Sequence, residues 1–150
     1  MLQSLANILL HVIFSTKNRA PWIPVEIEPE LHRYLASICR AHRCPSHGIG
    51  GTEDHIHIVC SLARTMTVAS LLEELKSSSS KWIKTKGDRF AGFSWQAGYG
   101  TFSIGQSQLD AVKTYIAGQR EHHRRKTFQE EFRDFLAKYQ VQYDERYVWD

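Results

Sequence analysis

The pattern of apolar and polar residues divides the chain into alternating strands and helices. β-Branched and aromatic residues are concentrated in residues 7–17, NILLHVIFSTK, which predicts a first strand. Three later strands are predicted: a short one that ends at Ile49-Gly50-Gly51, one at His55–Leu62, and one at Trp95–Ile104 that Gly98 and Gly100 interrupt. Each is bounded by glycine, proline or polar residues, as strands usually are.

Apolar residues spaced three or four apart predict the helices between these strands. Leu31, Tyr34, Leu35 and Ile38 show this spacing. The predicted helices are Glu30–Ala41, one from its N-cap Thr67 to about Ile83, one opened by Ser107 with Asp110, and Phe128–Tyr139, opened by the capping box Thr127-x-x-Glu130.

The resulting order is β-α-β-β-α-β-α-α. Its first six elements match the split βαβ, ferredoxin-like arrangement, an α+β fold with an antiparallel sheet and two helices on one face. The last two helices are an addition to that core. The sequence contains no repeat and no linker, so we expect residues 1–150 to form a single domain.

Composition indicates the cellular compartment in which the protein works. No apolar run reaches the length of about 18 residues that a membrane span needs, and the first residues lack the features of a signal peptide. The three cysteines, Cys39, Cys44 and Cys60, do not have metal-type spacing and cannot all pair. We therefore expect a reducing, cytoplasmic compartment.

Positive charge is concentrated in two blocks, although the net charge is only +3. Residues 76–89 carry five Lys/Arg against one Asp, and residues 113–126 carry five against one Glu. Such blocks indicate an anionic partner such as nucleic acid, although solvated helix faces have the same composition. The candidate phosphate contacts are Lys17, Arg19, Lys76, Lys81 and Lys84.

The stretch GTEDHIHIVC places two histidines in a strand that is otherwise apolar. Residues two apart in a strand point to the same face, so His55 and His57 face one way and Ile56 the other. Two imidazoles side by side form half of a divalent-metal site, or a half-buried pair without a ligand. The preceding Glu53 and Asp54 either orient an imidazole or belong to the turn.

A second polar stripe lies on the third predicted helix. Tyr115 and Gln119 are four residues apart, and His122 is seven from Tyr115, so the three share a helix face. A tyrosine can attack a phosphodiester if a metal polarises the phosphate. Two imidazoles and the Gln119 oxygen would leave positions open on Mg²⁺ or Mn²⁺. A tyrosine at the edge of the core is the alternative interpretation, and His11 is interpreted as a structural residue of its strand.

Taken together, these motifs resemble the HUH single-tyrosine transposases of the insertion-sequence-200 type and their REP-associated relatives. The matching stretches span nearly the whole chain, and they are HVIFSTKNR, IGGTEDHIHIV, LKSSSSKW, WQAGYGTFSI, YIAGQREHH and YDERYVW. The resemblance places His55 and His57 at the His-hydrophobic-His motif, Tyr115 at the nucleophile position and Gln119 at the third metal-ligand position.

The resemblance implies a metal-dependent enzyme that cuts and rejoins single-stranded DNA near a hairpin, through a 5′-phosphotyrosine and without ATP. It also implies a homodimer whose active sites are completed in trans. Gly105 stands at the position of the hinge about which the tyrosine helix moves.

Three other interpretations share parts of this pattern. A histidine-triad hydrolase needs a third histidine where Val59 stands. Relaxases and rolling-circle initiators use the histidine pair in larger chains. A non-catalytic nucleic-acid-binding module on the same fold would keep the basic blocks without needing Tyr115, Gln119 and the histidine pair together.

Overall fold

The computed structural model describes residues 2–150 and is built around one four-stranded antiparallel sheet. The strands are β1 (Leu9–Ser15), β2 (Ser46–Gly51), β3 (His55–Ser61) and β4 (Gly100–Ile104). They lie in the order β2-β3-β1-β4, with every neighbouring pair antiparallel. This is the predicted ferredoxin-like α+β arrangement.

Five helices accompany the sheet: α1 (Glu28–Ala41), α2 (Val68–Lys84), α3 (Leu109–Ala117), α4 (Gln119–His123) and α5 (Phe128–Lys138). The predicted N-caps of α2 and α5 are confirmed, because Thr67 Oγ1 and Thr127 Oγ1 accept backbone N–H bonds from Ser70 and Glu130. No helix within residues 2–150 combines the length and the apolar character needed to cross a bilayer.

Several element boundaries differ from the predictions by one or two residues, and the fourth strand and third helix differ more clearly. The fourth strand begins at Gly100 and not at Trp95. Trp95 forms only an isolated bridge with Thr16, and the residues between Trp95 and Gly100 belong to a loop. The third helix is preceded by a 3₁₀ turn at Gln106–Gln108, and the Gln108 side chain, rather than Ser107, caps it by accepting the Gly105 N–H at 2.8 Å.

The first face of the sheet is covered by α1 and α2 and forms a largely apolar core. Alternate strand residues such as Val12, Phe14, Ile56 and Ile58 point to this face and are fully buried. They pack on the leucine and isoleucine stripes of the two helices, which the helical spacing predicted. The helix residues of this core are Leu31, Leu35, Ile38, Cys39, Leu71, Leu72, Leu75 and Ile83.

The second face is covered by α3, α4 and α5. Gly50 lets α3 approach β2 closely, because a Cβ at this position would lie 2.2 Å from the Ile116 carbonyl oxygen. Gly100 does the same for α5, since a Cβ there would lie 2.6 Å from the Phe132 ring. These two contacts place the C-terminal helices directly over the histidine pair.

Candidate metal and tyrosine site

The two histidines of β3 point to the second face and are completely buried. His55 Nδ1 lies 2.7 Å from Asp54 Oδ1, so its N–H donates to a carboxylate and its Nε2 faces the site. His57 Nδ1 lies 2.8 Å from Nε2 of His11 on β1, and its own Nε2 also faces the site. Of the two acidic residues that precede the pair, Asp54 therefore orients an imidazole.

Helices α3 and α4 bring the polar stripe onto this pair. The helix breaks at Gly118, yet Gln119 begins α4 in a buried position with Oε1 3.0 Å from His55 Nε2. The ring of Tyr115 lies edge-on to His57, with centroids 5.9 Å apart. His122 Nε2 lies 3.1 Å from the Tyr115 hydroxyl. The break at Gly118 thus preserves the stripe.

Glu131 on α5 occupies the centre of the cluster, and the sequence analysis did not identify it. Its Oε1 lies 2.9 Å from His57 Nε2, and its Oε2 accepts a hydrogen bond from the Tyr115 hydroxyl. His123, also not identified, lies 3.3 Å from Glu131 Oε2 and 3.0 Å from Gln119 Oε1. One carboxylate therefore joins the tyrosine to the histidine pair within a single chain.

Burial and hydrogen bonding set the charges in this cluster. Burial lowers the pKa of His57 to about 4, against the opposing effect of Glu131, so the ring is neutral near pH 7. Burial raises the pKa of Glu131, but hydrogen bonds from His123 and His57 outweigh it and hold that pKa below its ordinary value. Burial and the Glu131 carboxylate both raise the pKa of Tyr115. The resting cluster is an anion surrounded by N–H and O–H donors.

The ligand atoms present fit a divalent cation. One atom from each of His55, His57, His123 and Glu131 can be chosen so that all lie within 4.8 Å of one another. The Gln119 Oε1 also lies 3.0 Å from His55 Nε2, the ring nitrogen turned away from Asp54. An amide oxygen and an imidazole nitrogen this close together are both available as ligands of one cation.

The other predicted site residues lie outside this cluster. Gly105 is exposed at the start of the turn before α3. Lys17, Lys81 and Lys84 are exposed, and the Arg19 guanidinium lies over the Trp149 ring at 5.7 Å.

Lys76 is directed into the protein. Its Nζ donates to the carbonyl oxygens of Gln96 and Ala97 at 2.9 and 3.2 Å, and also to that of Gly98. Its ammonium group therefore ties α2 to the loop before β4, while a role in phosphate binding stays a prediction.

The fold and the site together define the class of this protein: an α+β protein with a buried histidine cluster beside a tyrosine. Residues 4–119 match the family described as "Transposase IS200 like", so the chain belongs to the IS200-like transposase family. A transposase, an enzyme that cleaves DNA, is therefore the supported class of function. Comparison with curated proteins gives no match.

Solved structures of other proteins share the fold, and two of them are similar over most of this chain. One is a Deinococcus radiodurans R1 protein assigned as a transposase, with a TM-score of 0.62 and 17% identity over 79% of this chain and 98% of the other. The second is a REP-associated tyrosine transposase bound to a REP hairpin, with a TM-score of 0.60 and 13% identity over 82% of this chain and 72% of the other. At these identities the similarity concerns the fold.

Proposed function

We propose that this transposase cleaves and rejoins single-stranded DNA beside a hairpin through a covalent bond to Tyr115. The observation that carries the proposal is the bridge through Glu131, whose two carboxylate oxygens contact the Tyr115 hydroxyl and His57 Nε2. A nucleophile and a set of metal ligands are thereby held in one buried cluster. The hairpin-bound transposase with the same fold supports a hairpin substrate.

The metal site in this proposal consists of His55, His57 and Gln119, with His123 and Glu131 as further ligands. The oxygen donors suit Mg²⁺ or Mn²⁺, and the imidazoles suit Mn²⁺. When bound, the cation would polarise the scissile phosphate and neutralise the charge that develops on it. On the side away from these ligand atoms, His55 contacts Asp54 and His57 contacts His11.

Tyr115 carries the covalent step. Its oxygen attacks the phosphorus, the bond from phosphorus to the 3′ oxygen breaks, and the 3′ end leaves as a hydroxyl after taking a proton from water. The phenolic proton passes to water as the phosphorus–oxygen bond forms; before the attack the phenol donates a hydrogen bond to Glu131 Oε2 and lies 3.1 Å from His122 Nε2. Because the product is a 5′-phosphotyrosine ester, a 3′ hydroxyl can reverse the step without ATP.

We also propose that the protein acts in the cytoplasm as a homodimer in which the tyrosine is exchanged between subunits. Movement of α3 about Gly105 would carry Tyr115 from the arrangement within one chain to a partner's histidines. Mixing Tyr115→Phe with His57→Ala tests this. In the exchanged dimer the mixture regains activity at one of its two sites, whereas a site assembled within one chain gives no activity in the mixture.

The function is tested by trapping the covalent product. Single strands from the DNA flanking the gene, labelled at either end, are incubated with Mg²⁺ or Mn²⁺ and separated on a denaturing gel. We expect a protein–DNA band that carries the 5′ end of the downstream fragment, requires metal and is lost in Tyr115→Phe. Tyr139→Phe, a partly buried tyrosine outside the cluster, is the matched control and should keep the band.

An adduct that persists in Tyr115→Phe would contradict the nucleophile assignment. DNA binding without any adduct, indifferent to His55→Ala and His57→Ala, would favour the non-catalytic binding module instead.

A further inference from the structure

His11 on β1 is a buried imidazole that contacts the site from behind. It is 1% exposed, and its Nε2 lies 2.8 Å from His57 Nδ1. The sheet register pairs His11 with Val59, so His57 is its diagonal neighbour on the same face. The two rings are tilted by 33° with centroids 5.0 Å apart, which suits an in-plane hydrogen bond better than stacking.

The other half of the His11 ring has no polar partner. Its Nδ1 is buried without a hydrogen bond, and the ring is packed edge-on against Phe135, with centroids 5.1 Å apart. An unpaired buried polar atom destabilises the fold. Burial also lowers the pKa of His11, to about 3. An apolar residue would suit these neighbours better, so packing alone does not explain an imidazole here.

The hydrogen bond to His57 explains why residue 11 is an imidazole. To bind a cation through Nε2, the neutral His57 ring must carry its proton on Nδ1. That proton then needs an acceptor, and His11 Nε2 is the polar atom placed to accept it. When Nε2 of His57 instead donates to Glu131, as described above, Nδ1 becomes the acceptor and His11 Nε2 the donor.

His55 and His57 are therefore supported in different ways. The Asp54 carboxylate can only accept, which fixes one tautomer of His55. A neutral imidazole can accept or donate through the same nitrogen, depending on its own tautomer. The hydrogen bond between His57 Nδ1 and His11 Nε2 can therefore form both when His57 Nε2 contacts Glu131 and when His57 Nε2 binds a cation.

We propose that His11 is a positioning residue that orients His57 and accepts its Nδ1–H when a metal is bound. This inference rests on the proposed function, because it assumes that His57 is a metal ligand. Removing such a hydrogen-bond partner typically weakens metal binding about 10–100-fold.

Two variants at one position test this role. His11→Leu removes the hydrogen bond while keeping an apolar side chain of similar bulk, and His11→Gln keeps a terminal amide that can accept or donate. With Mn²⁺ as the probe, measured by the electron paramagnetic resonance signal of the free ion, we expect His11→Leu to bind about 10–100-fold more weakly. His11→Gln should restore most of the affinity, and His57→Ala should abolish the binding.

Unfolding measured in EDTA separates positioning from folding, because a purely structural role would change stability and leave Mn²⁺ affinity intact. An affinity in His11→Leu equal to that of the wild type, while His57→Ala loses binding, would overturn this inference and leave the proposed function standing. Wild-type protein that binds no Mn²⁺ would overturn both.

A measurement on the wild type does not depend on the folding of any variant. Nitrogen-15 NMR of the histidine rings, with Zn²⁺ as a diamagnetic probe, reports which nitrogen carries each proton. We expect His57 to carry its proton on Nδ1 in the Zn²⁺-loaded protein and His11 to have an unprotonated Nε2. A loaded protein in which His57 is protonated on Nε2 would contradict the proposal.

Discussion

The two faces of the β-sheet use the same strands for different purposes. On β3, Ile56 and Ile58 point to α1 and α2, where every buried side chain of the strand meets an apolar partner. His55 and His57, one residue away, point to α3, α4 and α5, where their partners are acidic, amide and imidazole groups. Because neighbouring side chains of a strand point to opposite faces, the isoleucines and the histidines of β3 lie on different sides of the sheet.

This difference has an energetic consequence. Apolar burial on the first face stabilises the fold without regard to direction. The polar cluster on the second face contributes through directed hydrogen bonds, each of which must be satisfied to offset the cost of burying its atoms. We therefore expect stability to depend mainly on the first face and metal binding only on the second.

The largest expected effect is on the apolar face. Leu35→Ala removes a fully buried side chain of α1 and should lower the free energy of unfolding by about 2–5 kcal/mol. Denaturant unfolding measures this loss, and Mn²⁺ titration of the folded protein should show unchanged affinity. If Leu35→Ala weakened metal binding as strongly as His57→Ala does, the two faces would not be independent.

A smaller loss is expected at the centre of the polar face. Glu131→Gln keeps the size of the side chain but removes the charge from bonds to His57, His123 and Tyr115, at a cost of about 1.5–3 kcal/mol. The measurement is unfolding in EDTA. Glu130→Gln, exposed on the same helix, is the control and should be nearly neutral. Equal effects of the two changes would show that the bridge contributes nothing to stability.

The apolar face could be predicted almost completely from the sequence, because its strands and helices follow local periodicity. The leucine spacing of α1 and α2 gave both the helices and their buried stripes. On the polar face, the period of two paired His55 with His57 and the spacing of four paired Tyr115 with Gln119, whereas the family resemblance placed the two pairs in one site.

Glu131 could not be assigned in the same way, since the approach of α5 to the sheet depends on contacts between residues distant in sequence. A signal was nevertheless available. Glu131 follows Phe128 by three residues and precedes Phe132, so it lies on the apolar face of α5. An acidic residue on such a face needs a buried partner. His11 gave no comparable signal, because only the sheet register reveals its neighbour.

Acid should weaken the polar face before it affects the apolar one. His57 and His11 have pKa values of about 4 and about 3 in the folded protein, against about 6.5 when unfolded. Between pH 6.5 and 4 the unfolded chain binds protons that the folded chain excludes, so stability falls as pH falls. In EDTA, the slope of unfolding free energy against pH should be lower in His11→Leu by up to about 1.4 kcal/mol per pH unit. An unchanged slope would contradict the neutral, buried state of His11.

The smallest expected effect concerns DNA contacts on the outer surface of the apolar face. Lys81 and Lys76 are both on α2, but Lys81 is exposed whereas the Lys76 ammonium is bound to backbone carbonyls. If Lys81 contacts a phosphate of a single strand, Lys81→Gln should reduce the slope of log affinity against log salt by about 0.7. Lys76→Gln should leave that slope unchanged and lower stability instead. A reduced slope in Lys81→Gln would show that DNA also contacts the face opposite the metal cluster. An unchanged slope would show that DNA contacts only the side of α3, α4 and α5.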